Sequence, residues 1–100
     1  MPLFDAAGVD AVLTAHLHTY RDRGHLFNFA PAADGPLYLL TGVAGNVRYP
    51  RLWIDHEFDR VVAPQPETDN YLTLDASSEA LRFQCFLPDG SCIDDVTLRK

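Results

Sequence analysis

Apolar positions change their rhythm three times along the chain. In the last stretch, "YLTLDASSEALRFQCFLPDGSCIDDVTLRK", Leu81, Phe83, Cys85 and Leu87 fall on one face and Arg82 and Gln84 on the other. That period of two belongs to half-buried strands. Ser77-Ser78-Glu79 and Pro88-Asp89-Gly90 break the alternation with turn-forming residues. Residues 71–100 are therefore predicted to form a three-stranded antiparallel meander. Further upstream, residues 9–14 read as a short buried strand, and residues 37–40 are a continuous apolar run. Runs of that kind suit buried strands, and "LYLL" at 37–40 suits one covered on both faces.

Elsewhere the rhythm is lost. "DAAG" reads as the tail of a helix with Gly8 as its C-cap. From residue 16 to 35 no period survives, and Gly24, Pro31, Asp34 and Gly35 predict a loop. Residues 42–46 make a Gly-rich turn. Residues 47–70 carry Pro50, Pro64 and Pro66 with the acids Asp55, Glu57, Asp59, Glu67 and Asp69. They are expected to form a long loop, solvated rather than calcium-binding, of the kind that is usually functional or mobile. The chain thus divides into 1–46, 47–70 and 71–100 within a single segment, without internal repeats.

Composition narrows the class. One hundred residues, 47% hydrophobic and 22% charged, suit one small globular domain. The net charge of −6 argues against nucleic acid as a partner, because phosphate backbones are held by basic patches. No apolar run approaches the ~20 residues that cross a bilayer, so no membrane partner is expected. "MPLFDAAGVD" lacks the basic region and apolar core of a signal peptide, which leaves the localisation of a longer protein open. Cys85 and Cys92 flank "LPDGS". If Leu87 pairs with Cys92 across that turn, Cys85 faces Asp94 and the thiols are diagonal neighbours, too far apart for a good disulfide. Two free thiols are expected.

The chemistry concentrates in "VLTAHLHTYRDRG". In an extended segment His16 and His18 project from the same face. At the carboxyl end of a strand they stand where ligands of open α/β sheets bind. Imidazole is the commonest metal ligand, and two of them make half of a site. A polar strand end is the plainer reading of an isolated H-x-H. His25 and His56, in polar surroundings, are expected to be solvated or hydrogen-bonding rather than ligating.

The order Val9-Asp10, apolar strand, small residue, His16-Leu17-His18-Thr19-Tyr20-Arg21 resembles the last metal-binding motif of the metallophosphoesterase (calcineurin-like phosphoesterase) superfamily, and most closely its purple acid phosphatase-like branch. "GPLYLLTGVAGN" is similar to that branch's subsequent strand and turn. "VRYPRLW", "APQPETDNYLTL" and the terminal meander look like its closing segments. The resemblance implies the C-terminal part of a four-layer α/β/β/α sandwich. It further implies two metal ions (Fe, Zn or Mn) about 3.5–4 Å apart, which clamp a phosphate ester and activate a water for in-line attack. His16 would bind one ion and His18 the other. Tyr20, Arg21 and Asn46 are then candidates for contact with substrate or for support beside the ligands.

Two departures matter. Ala15 stands where the family has glycine, and the D-x-H, G-D-x-x-D/Y and G-N-H motifs of the family do not occur in the chain. The expected partners are thus a phosphate ester, for the whole protein, and the N-terminal part of the same domain. This chain alone is expected to be inactive or nearly so. A non-catalytic β-rich accessory domain or inactive remnant, in which the H-x-H no longer binds metal, is the alternative. A mononuclear site completed across a homodimer is a third reading. For Tyr20 and Arg21 the plain readings are a brace for the loop and a surface arginine beside Asp22. For Gly42, Gly45 and Asn46 the plain reading is a tight turn, and for Trp53 near Tyr49 it is packing.

Overall fold

The computed structural model describes residues 2–15, 19–41, 56–64 and 68–99. It is mostly β, in two sheets. A short helix, α1 (Pro2–Ala7), ends at Gly8, whose φ of +69° suits the C-cap expected there. β1 (Ala11–Thr14) comes next and pairs in parallel with β4 (Leu37–Leu40), in the register Ala11↔Leu37 to Thr14↔Leu40. These are the two apolar runs of the sequence, lying side by side. Among the described residues β1 has no partner on its other edge.

The loop expected over residues 16–35 is overturned in its middle. Residues 21–27 form a seven-residue strand, β2 (Arg21–Phe27), in the middle of the sheet. β4 lies antiparallel along one edge of β2. Two short strands, β3 (Ala30–Pro31) and β5 (Val61–Val62), pair with β2 as well. Four of the first five residues of β2 are charged or glycine, so no apolar period marks it. Its polar groups are satisfied instead by partners distant in sequence. Gly24, at φ +71°, sits in a register shift between Asp22 and His25, and its N–H donates to Asp22 Oδ1 at 2.7 Å. The aspartate thereby caps the irregularity.

β2 and β3 are joined by a two-residue turn, Asn28-Phe29, with φ of +52° and +61°. Positive φ at both central positions is the type I′ geometry that matches the twist of a hairpin and normally selects Asn-Gly. A phenylalanine there carries a steric cost of about 1–2 kcal/mol, and at 61% exposed it recovers little by packing. Phe29→Gly is expected to stabilise the chain by about 1 kcal/mol, read as a higher urea midpoint. An unchanged or lower midpoint would contradict the strain.

The second sheet is the meander expected from the alternation: β6 (Tyr71–Ala76), β7 (Ala80–Phe86) and β8 (Cys92–Arg99), antiparallel in that order. Cys85 faces Asp94 as predicted, but Cys92 pairs with Phe86 rather than Leu87. The correction is one bulged residue, Ile93, inserted opposite the Cys85–Phe86 step. Asp89 closes the turn by accepting from the N–H and the hydroxyl of Ser91. Both cysteines are free thiols, Cys85 buried and Cys92 exposed. The two sheets meet through Tyr20, Leu37, Leu39 and Ala63 from the first and Phe83 and Cys85 from the second. Ala11, Leu81, Val96 and Leu98 border that core.

Candidate functional site

The carboxyl ends of β1 and β4 define the candidate site. Because the strands are parallel and in register, they finish level, and Thr41 N donates to Thr14 O at 2.9 Å. β1 leads directly into Ala15 and the His16-Leu17-His18 triplet, and β4 leads into Thr41 and the turn at 42–46. Two segments expected to carry chemistry therefore leave the sheet from one end, on neighbouring strands. His16, His18 and Asn46 themselves lie outside the described residues, as do Gly42, Gly45, Tyr49 and Trp53.

From Thr19 onward the chain is anchored on both faces of the sheet. Arg21 points to the outer face. It is 2% exposed, which corrects the expectation of a surface arginine. Its Nη1 meets Asp59 Oδ2 at 2.8 Å, and its Nε donates to Thr19 Oγ1 at 3.1 Å. Arg23 Nε reaches the other Asp59 oxygen at 2.9 Å, and the backbone N–H of His56 donates to Oδ2 at 2.8 Å. Asp59, expected to be a solvated loop acid, is thus a buried hub with its side chain 3% exposed. Burial works to raise its pKa. The hydrogen bonds from His56 and Arg21, and then the charge of Arg23, outweigh that and hold it below the ordinary carboxylate range.

Tyr20 points the opposite way, into the core between the sheets. It is 1% exposed, and its hydroxyl donates to Asp94 Oδ2 of β8 at 2.7 Å. Burial, then the Asp94 hydrogen bond, raise its pKa far above the working range, so the phenol stays a donor. Asp22 of β2 is 1% exposed, and its charge, after burial, is among the causes that raise the pKa of Asp94. The Cys85 thiol beside them is pushed up to about 12, by burial first and then by Asp94, and so is held as an unreactive thiol. Motif and periodicity alone pass over Asp94. A signal is present nonetheless: Asp94, Val96 and Leu98 share one face of β8, and a carboxylate in phase with two core residues requires a buried partner.

Tyr20 and Arg21 are therefore both engaged within the protein, one on each side of the sheet, immediately after the H-x-H. They hold the amino end of β2 and with it the downstream anchor of the histidine segment. His25 and His56 are hydrogen-bonding residues, as expected. His25 Nδ1 lies 2.7 Å from the Gly35 carbonyl, which can only accept, so that nitrogen carries the proton. His56 Nδ1 accepts from Phe58 N at 3.1 Å. Among the described residues no cluster of three His, Cys, Asp or Glu side chains is arranged to hold a metal ion. No family model, curated protein or solved structure matches the chain.

Proposed function

We propose that this chain is the C-terminal part of a metal-dependent phosphoesterase of the four-layer sandwich type, contributing His16 and His18 to a two-metal centre that hydrolyses phosphate mono- or diesters. The observation that carries the reading is the level ending of parallel β1 and β4, the two strands after which the sequence runs into the H-x-H and into residues 42–46. Carboxyl ends of parallel strands are where such folds bind ligands. The rest of the domain, which supplies the other ligands, docks at the unpaired edge of β1. That edge is short and uncharged, and Leu13 on it is 48% exposed. α1, just upstream of β1 in the chain, buries none of its residues and leaves Leu3 83% exposed. Metal ions, once bound, supply Lewis acidity and an activated water. This chain's own part is to hold the two imidazoles on a segment anchored by Thr14 upstream and by Thr19 to Arg21 downstream.

Zinc or manganese titration of the chain tests the reading. The wild-type chain is expected to bind metal without turning over a phosphomonoester, and His16→Ala or His18→Ala is expected to weaken binding by about tenfold or more. Metal content and thermal stability unchanged in His16→Ala would favour the accessory-domain reading instead. Robust phosphatase turnover by the isolated chain would overturn the need for further ligands.

A further inference from the structure

We infer that the outer face of the first sheet carries a binding site for a small aromatic carboxylate, in a groove between β2, β4 and residues 56–58. The inference goes beyond the metal centre and does not depend on it.

Leu37 and Leu39 belong to the core, so Tyr38 and Leu40 stand on the opposite face of β4. A groove of about 300 Å³ opens on that face. Leu26, Phe29, Leu40 and Phe58 give it apolar walls, and Arg23 and His56 border it with polar groups. An apolar cavity of about 150 Å³ takes one benzene ring, so this groove has room for a body of two fused rings. Apolar walls with a few convergent polar groups are the usual form of a small-molecule site.

Charge sets the class of ligand. The chain carries −6, and four other depressions of the described surface each include an Asp or Glu in their lining. Among the described residues this groove has neither. Arg23 gives its Nε to Asp59, which leaves the outer nitrogens of the guanidinium for a second planar acceptor. His56 is fixed as a donor. Its Nδ1 accepts from Phe58 N, so Nε2 bears the hydrogen, and its ring lies against Phe58 with centroids 4.8 Å apart. Asp59 holds both residues in place, accepting from Arg23 Nε and from the backbone N–H of His56. Two positioned donors beside apolar walls complement one anionic head on a flat apolar body.

Phe29 is the second, independent indication. It occupies a positive-φ turn position that favours glycine, and at 61% exposed it is not compensated by packing. Residues held in such conformations cluster at ligand clamps and other functional sites. Phe29 borders the groove, where an aromatic ligand against its ring would bury the surface that folding leaves open.

NMR titration of the chain with naphthoate, and with uncharged naphthylmethanol as its control, tests the site. Naphthoate is expected to shift the methyl signals of Leu26 and Leu40, to leave those of Leu72 and Leu74 in the meander unmoved, and to bind about tenfold more tightly than the alcohol. Phe29→Gly is expected to weaken naphthoate binding about fivefold or more while raising the urea midpoint, a pair of opposite effects that general destabilisation cannot produce. Arg23→Gln is expected to remove the preference for the acid. Equal affinity for acid and alcohol, undiminished affinity in Phe29→Gly, shifts confined to other surfaces, or no shift at about 5 mM naphthoate would overturn the site. Shifts of the same Leu26 and Leu40 methyls on dilution alone would make a second copy of the chain the occupant, and would overturn it as well. The acid–alcohol comparison uses the wild-type chain, so it decides even if a variant does not fold.

Discussion

Arg21→Met is expected to cost about 3–5 kcal/mol, a large share of the stability available to a domain of this size. The methionine fills much of the volume of the arginine stem but leaves Asp59, its side chain 3% exposed, without its most buried cation. Arg23, 30% exposed, remains on the other oxygen and cannot take over the donation that Arg21 makes at 2.8 Å. Removing one partner of a buried pair strands a charge, whereas removing both does not. Arg21→Met/Asp59→Leu is therefore expected to regain most of the loss, with Arg23 released to solvent. Arg21→Lys keeps the charge but loses the planar fork that also reaches Thr19, so it should fall between. Acid acts on the same contact. Because the pairing lowers the Asp59 pKa, its contribution is present above the unfolded value near ~4 and fades as pH falls through the lower folded value. Urea denaturation of the four proteins at neutral pH measures the series. A loss below about 1 kcal/mol for Arg21→Met would show that the pair is not the anchor of β2.

The meander is legible in the sequence because one buried face forces a period of two, and nothing in residues 71–99 conflicts with it. β4 is legible as a continuous apolar run for the same local reason. β2 is not, since "RDRGH" has no apolar period. It is buried by pairing with residues 36 and 38 positions away, and a pattern read locally cannot contain those partners. A strand that reads as a loop has its charges misplaced as well. Arg21 and Asp59 look like solvated surface residues in the sequence because no nearby residue announces their pairing. The candidate site divides the same way. The H-x-H stands out as a motif. The residues that support it, Thr19, Tyr20, Asp22, Asp59 and Asp94, come from three separate stretches and converge only in the fold.

This convergence gives the histidine segment a specific mechanical setting. Its upstream anchor is the parallel pairing of β1 with β4, to which the Thr14 hydroxyl adds a hydrogen bond to the Leu39 carbonyl at 3.4 Å. Its downstream anchor is the amino end of β2, fixed by the Arg21–Asp59 ion pair on one face and by the Tyr20–Asp94 hydrogen bond on the other. Strong acid acts on the first of these faces, by protonating Asp59.

Gly35→Ala is expected to destabilise the chain by about 3 kcal/mol or more, by a mechanism unlike that of Arg21. A methyl group at Gly35 would overlap the carbonyl oxygen of Leu26, lie 2.6 Å from the carbonyl carbon and 3.0 Å from Phe27 N. All three are backbone atoms of β2, so no side-chain rotation relieves the collision. The chain must separate where Leu26 N donates to Pro36 O at 3.0 Å and where the Gly35 carbonyl accepts from His25. Both contacts lie at the start of the β2–β4 pairing, whose His25↔Leu37 register they set. Shifting that register pulls Leu37, fully buried, off the core. Gly90→Ala is the control. Gly90 has φ of +88° but nothing within 4 Å of a new Cβ, so it should lose only the backbone cost of about 1–2 kcal/mol. Denaturant midpoints that rank Gly35→Ala no lower than Gly90→Ala would mean that β2 and the 32–36 turn are not in close backbone contact.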